Sequence, residues 1–167
     1  MLNSKVKSGV ALSLPPHSKS RLSRYGPLVL WAFLIFIGSS NLLSASNTSA
    51  FLVRPLHWLF PQASEGTLAI LHFLIRKAGH LTEYAILALL AARAFRTSSR
   101  ELLRRRWFWA PLLFVVIYSL TDEYHQSFVP SRTASIYDSM IDSMGGLAAL
   151  ILLAIRNWRK NRQDSQD

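Results

Sequence analysis

The sequence predicts an all-α fold, a bundle of four transmembrane helices with the N- and C-termini cytoplasmic. Two observations predict it. Four apolar stretches run along a chain that is 50% apolar and only 17% charged, against about 25% charged residues in an ordinary soluble domain. The basic residues gather at alternate ends of those stretches rather than along them. A length of 167 residues fits one compact unit, and the mean hydropathy is positive at +0.21.

A membrane-crossing helix needs roughly 20 mostly apolar residues to span a hydrocarbon core of about 30 Å. The first stretch, Tyr25 to about Leu43, meets this length. It follows a basic leader and ends in small residues, the layout of a cleavable secretory signal, but the run is long and rich in aromatics, so it is expected to stay as an anchor. The loop after it, about Ser44 to Gly66, carries Pro55 and Pro61 around Leu56-His57-Trp58-Leu59-Phe60, a segment suited to the interfacial aromatic belt. The second stretch, about Leu68 to Phe95, exceeds the required length. The third, Trp107 to Leu120, falls short unless its polar end, Thr121 to Gln126, continues the helix. The fourth, Ile136 to Ile155, fits. The chain therefore divides into a basic cytoplasmic tail (1–24), a membrane domain (25–155) and a polar cytoplasmic tail (156–167).

Lys and Arg accumulate in cytoplasmic segments close to span ends, so their distribution tests the topology. With the N-terminus inside, the inner segments hold Lys5, Lys7, Lys19, Arg21 and Arg24, then Arg93, Arg96, Arg100, Arg104, Arg105 and Arg106, then Arg156, Arg159, Lys160 and Arg162. Only Arg54, Arg76, Lys77 and Arg132 fall on the other side. This bias points to a chain that crosses a membrane several times. Nucleic-acid binding is the other use of a formal net charge of +10, and it does not explain why the basic runs flank apolar stretches. No nucleic-acid partner is expected. The lipid bilayer is the expected partner, together with an amphiphilic ligand, and the small size of the bundle leaves homo-oligomers open. Cysteine is absent, which removes disulfides, thiolate catalysis and cysteine metal sites.

The residues that carry chemistry lie within the apolar stretches. Ionisable groups are expensive in hydrocarbon unless partnered, so each one there is a candidate functional residue. At about 1.5 Å of rise per residue, Glu83 lies about 15 Å from the inner surface, His80 about 20 Å and Lys77 about 24 Å. Asp122 lies about 24 Å along its helix, Asp142 about 21 Å and Asp138 about 27 Å. Three helices thus place polar residues in one outer half. Residues three, four or seven apart share a helix face, which groups Lys77, His80 and Tyr84, then Asp122 and Gln126, then Asp138, Asp142 and Gly145. A polar cluster between helices, open toward the outside, is the expected result. Its candidate members are Lys77, His80, Glu83, Tyr84, Asp122, Glu123, His125, Gln126, Arg132, Asp138 and Asp142.

Lys77-x-x-His80-x-x-Glu83-Tyr84, then Asp122-Glu123-x-His125-Gln126-x-Phe128-Val129-Pro130-x-Arg132, then Asp138 ahead of a Gly145-Gly146 helix, resemble the motifs of the VanZ-like family of small bacterial membrane proteins. The resemblance extends over about Tyr25 to Ile155. Ser131 stands where that family commonly has glycine, and Asp142 where asparagine is expected. The resemblance implies a place in the bacterial inner membrane and a link to low-level resistance to teicoplanin-type glycopeptides and to the cell envelope. It supplies no reaction.

Four readings of the cluster follow from its chemistry. It binds the polar head of a lipid-linked envelope precursor or an amphiphilic glycopeptide, with Lys77 and Arg132 holding phosphate or carboxylate. Alternatively it is a hydrolase or transferase site in which His80 or His125 acts as general base beside Glu83 or Asp122, although no nucleophile stands at a recognisable elbow. A metal pair on His80, Glu83, Asp122, Glu123 and His125 is disfavoured by the cations Lys77 and Arg132 beside it, so neither metal nor cofactor is expected. A proton relay in a small transporter subunit is the fourth. Against all of these stands a structural role, in which Lys77 snorkels outward, His80 is a neutral bonded imidazole, Glu83 pairs with Lys77, His80 or Arg132, and Gly145-Gly146 lets helices approach.

Overall fold

The computed structural model describes residues 20–40, 54–130 and 134–166, and these are helical with short connections. Four long helices make the bundle: α1, Arg21–Ser39; α2, Glu65–Arg96; α3, Trp109–Gln126; and α4, Ile136–Gln163. A helical turn over 54–59 precedes α2, and a short helix, Glu101–Arg105, joins α2 to α3.

Serines start three of the long helices. Ser20 Oγ accepts from the Ser23 amide at 3.2 Å, Ser64 Oγ from Thr67 at 3.2 Å and Ser135 Oγ from Tyr137 at 3.3 Å, each satisfying an amide that the first helical turn leaves without a partner. Pro111 stands at the third position of α3, where its missing N–H is one of those unpartnered amides anyway. At the other ends, Arg93 and Arg96 close α2, and Lys160 and Arg162 close α4, where cations complement the helix dipole. The polar segment Thr121 to Gln126 does continue α3, so the third apolar stretch is completed by polar residues.

Helix α2 is the centre of the bundle. It packs against each of the other three long helices and most extensively against α4. Its inward face is small: Ala88, Ala91, Ala92 and Ala94 are fully buried with Tyr84 and Leu87. Opposite them α4 presents Gly145 and Gly146. A Cβ added to Gly145 would collide with the Leu81 carbonyl oxygen, and one added to Gly146 would stand 2.8 Å from Val115 Cγ1. The two glycines therefore let α4 lie directly on the backbone of α2, and van der Waals packing at this short separation is the main attraction between helices in lipid. The helices α2 and α4 run parallel, in the register set by Leu81 beside Gly145.

Helix α1 runs antiparallel to α2 and is fastened to it by side chains. Tyr25 Oη donates to Ser98 Oγ at 2.8 Å and Trp31 Nε1 to the Glu83 carbonyl at 2.9 Å, while Arg93 Nη2 reaches the Ser23 carbonyl at 3.4 Å. Tyr118 on α3 donates to the Ala32 carbonyl.

Outside this core, every long helix exposes large apolar side chains: Leu30 and Phe33 on α1, Ile70 and Phe73 on α2, Leu113 and Ile117 on α3, Met144 and Leu152 on α4. In water, so continuous an apolar surface is an aggregation liability; in hydrocarbon it is the expected exterior. By length and composition, two of the described helices, α1 and α4, are long and apolar enough to cross a membrane. The polar residues of α2 and of the end of α3 keep those helices from meeting the same test.

Candidate functional site

At the end of the bundle where α1 and α3 finish and α2 and α4 begin, polar side chains meet from four helices. Lys77 Nζ on α2 bonds Asp138 Oδ1 on α4 at 2.5 Å. One turn deeper, His80 Nδ1 stands 3.7 Å from Asp142 Oδ1. Asp138 and Asp142 are four apart on α4, and Lys77 and His80 three apart on α2, so two parallel helices match these pairs rung for rung. Lys77 and His80 thus both reach across to carboxylates of α4. Side chains of a single helix at this spacing lie side by side, whereas a parallel neighbour at glycine distance offers its carboxylates head on. Glu83 is half-buried, and its carboxyl lies within electrostatic reach of Asp142.

From α3, Asp122 Oδ2 accepts from Ser39 Oγ of α1 at 2.7 Å and from Gln126 Nε2 at 2.9 Å. Glu123 accepts the backbone N–H of Ser135 at 2.8 Å. That places a carboxylate at the N-terminus of α4, where the helix dipole favours it. Tyr84 is fully buried, with its hydroxyl on the Asp122 carboxylate and within electrostatic reach of Asp142. His125 turns away: its ring stacks on Phe36 of α1 at 4.4 Å between centroids. Arg132 lies outside the described residues.

Four serines complete the site although their sequence context does not single them out. Ser39 closes the cluster on the α1 side. Ser119 Oγ donates to the Val116 carbonyl at 3.0 Å and lies 3.2 Å from Ser143 Oγ, and Ser139 Oγ donates to the Ser119 carbonyl at 3.2 Å. These bonds hold α3 to α4. The spacing of Ser139 and Ser143, and of Ser119 and Asp122, was the available signal, since each pair shares a helix face.

Among the described residues the balance of charge is acidic: Asp122, Glu123, Asp138 and Glu83 each lie within electrostatic reach of Asp142, and Lys77 is bound to Asp138. Neither carboxylate oxygen of Asp142 makes a well-formed hydrogen bond among the described residues, His80 standing 3.7 Å from Oδ1, and the Tyr84 hydroxyl turns to the Asp122 carboxylate. No group of three or more His, Asp or Glu among the described residues is arranged to hold a metal ion. The hydroxyl of Ser119, engaged between two helices, serves packing.

A family model for VanZ/LLP1 proteins matches residues 25–157, most of the chain. The chain belongs to the VanZ/LLP1 family. No curated protein and no solved structure matches it significantly. For this VanZ/LLP1 protein, the matched region takes in α1 from Tyr25, all of α2 and α3, and α4 up to the start of its basic end, and so the whole of the cluster. Membership and the two apolar helices together support a membrane protein.

The Lys77–Asp138 contact predicts an asymmetric result. Lys77→Met leaves Asp138 half-buried among acids, whereas Asp138→Asn leaves a lysine able to snorkel outward. Lys77→Met is therefore expected to lower the melting temperature in detergent more than Asp138→Asn. The double variant should regain part of the loss, with a coupling of about 0.6 kcal/mol, the usual size for a polar pair between membrane helices. Strict additivity would show that the two side chains do not sense each other.

Proposed function

We propose that this is a four-pass protein of the bacterial inner membrane, with cytoplasmic termini, whose cluster recognises the polar head of an envelope-associated amphiphile at the outer leaflet. A lipid-linked precursor or a glycopeptide of the teicoplanin type has the required form, a polar head on an apolar body. One observation carries the reading: polar side chains from all four helices converge at a single end of a bundle whose exterior is apolar, while the basic residues of α2 and α4 gather at the opposite end. By the positive-inside tendency, the basic end is cytoplasmic and the cluster outer. Groups this costly to place in a membrane are retained where they bind something.

Two measurements test it. Single cysteines replacing exposed Ser64 and Ser127 should react with an impermeant thiol reagent in intact cells, and ones replacing Ser99 and Ser165 should not; reversed labelling would move the cluster to the inner leaflet. Mass spectrometry of protein purified in mild detergent should find a stoichiometric amphiphile that Asp122→Asn or His80→Ala releases. Protein that carries only the bulk lipid mixture, unchanged in those variants, would exclude the reading.

A further inference from the structure

We propose that the hollow between the start of α1 and the turn that leaves α2 binds a phosphate ester, either the head of an anionic lipid or a soluble phosphorylated compound. It lies at the end of the bundle opposite the polar cluster and does not depend on how that cluster is read. Arg21, Arg24 and Tyr25 face Ser98, Ser99 and Arg100 across a cavity of about 360 Å³. Basic residues at this end are expected from topology alone, but topology asks for charge and not for shape. Here the shape is built. Tyr25 Oη donates to Ser98 Oγ at 2.8 Å, across 73 positions of sequence, and Ser98 is buried. Arg104 Nη1 holds the turn by donating to the Ser98 carbonyl at 3.0 Å and to the Ser99 carbonyl at 3.3 Å.

The chemistry of the hollow selects its occupant. Its acceptors are engaged: the two serine carbonyls by Arg104, and Ser98 Oγ by both Tyr25 and the Arg100 amide, which reaches it at 3.1 Å. A hydroxyl that accepts twice has only its proton left to offer. Donors remain, that proton and the guanidiniums of Arg21 and Arg100, which make no ion pair among the described residues. No acid is among the described residues that line the hollow. Glu101, next to Arg100 in the chain, is held by Arg105 at 2.6 Å, and no acid precedes Glu65 in the sequence. The fitting ligand is therefore rich in acceptors and negatively charged. A phosphate monoester brings close to two charges and three acceptor oxygens, enough to meet several guanidiniums at once, whereas a carboxylate brings one charge and two oxygens. The planar fork of arginine matches phosphate geometry, and basic hollows between membrane helices on the cytoplasmic side take lipid phosphates.

Thermal unfolding of the full chain tests this. In detergent at constant ionic strength, glycerol 3-phosphate is titrated against sodium chloride. In a second arm, phosphatidylcholine nanodiscs are compared with nanodiscs that also contain graded amounts of phosphatidic acid. A saturable rise in melting temperature with glycerol 3-phosphate identifies a soluble ester, and a rise with phosphatidic acid alone identifies a lipid head. Arg21→Gln and Arg100→Gln, both at exposed positions, should melt as the parent does without ligand. Each should raise the half-saturating amount roughly tenfold, the effect of losing one charge-assisted hydrogen bond. Arg100→Lys, which keeps the charge and loses the fork, should recover only part of that loss. Arg159→Gln removes the same charge from the basic end of α4, outside the hollow, and should respond as the parent does. Unchanged melting in both arms would overturn the proposal. So would a response that Arg159→Gln weakens as much as Arg100→Gln, since the attraction would then be diffuse.

Discussion

Gly145→Ala is expected to remove most of the folded protein, while the identical change at Gly79 leaves it as stable as before or slightly more so. Both glycines lie in helices, and alanine is intrinsically the better helix former by up to about 1 kcal/mol. At Gly79 nothing lies within 4 Å of an added Cβ, so that preference acts unopposed. At Gly145 the added atom meets the backbone carbonyl of Leu81. A backbone atom cannot rotate aside as a side chain does, so α4 must withdraw from α2 along its length. Overpacking of a tight core typically costs about 1 to 3 kcal/mol, and here the retreat also pulls Asp142 from His80 and Asp138 from Lys77. Gly146→Ala falls between, because its obstacle is the side chain of Val115. Melting in detergent and the yield of monodisperse protein should follow the order Gly79→Ala, Gly146→Ala, Gly145→Ala. Equal tolerance at the three positions would mean that α2 and α4 do not meet at this register.

The second large effect is on activity rather than on folding. His80→Ala, Asp122→Asn and Asp138→Asn, on three different helices, should each accumulate to near-normal levels and lose the envelope phenotype the parent confers, such as reduced susceptibility to teicoplanin. Leu87→Ala should do the reverse. Leu87 is fully buried in the core of α2, and cutting a buried leucine to alanine costs about 2 to 5 kcal/mol, so abundance should fall while activity per molecule persists. Polar contacts between membrane helices are each worth only about 0.6 to 2 kcal/mol, which is why single polar variants should still fold. Asparagine at 122 can also still accept from Ser39. If all three polar variants disappear from the membrane along with the phenotype, the cluster is scaffold. If all three keep the phenotype, the site lies elsewhere.

Much of this arrangement was legible in the chain itself. Apolar runs place the helices, and spacing assigns faces, so Lys77, His80 and Tyr84 share one side of α2, and Asp138, Asp142 and Gly145 one side of α4. Those relations are local, fixed by 3.6 residues per turn whatever the helix later packs against. Even the polar end of α3 was visible as the residues needed to complete a span.

Partners across helices were decided only by the tertiary structure. From sequence Lys77 is one of three groups, with His80 and Arg132, that could partner Glu83; the bundle sets it on Asp138, 61 positions on. The reason is the close approach at Gly145, which sets α4 parallel to α2 and in register, and no hydropathy pattern encodes the rotation of one helix about another. The same rotation turns His125 from the acids onto Phe36 and brings Ser39, read from sequence only as one of several small residues at a span end, onto Asp122. From sequence the cluster was a set of polar residues at a common depth with cations to hold an anion; once α2 and α4 are docked, Lys77 is engaged by Asp138.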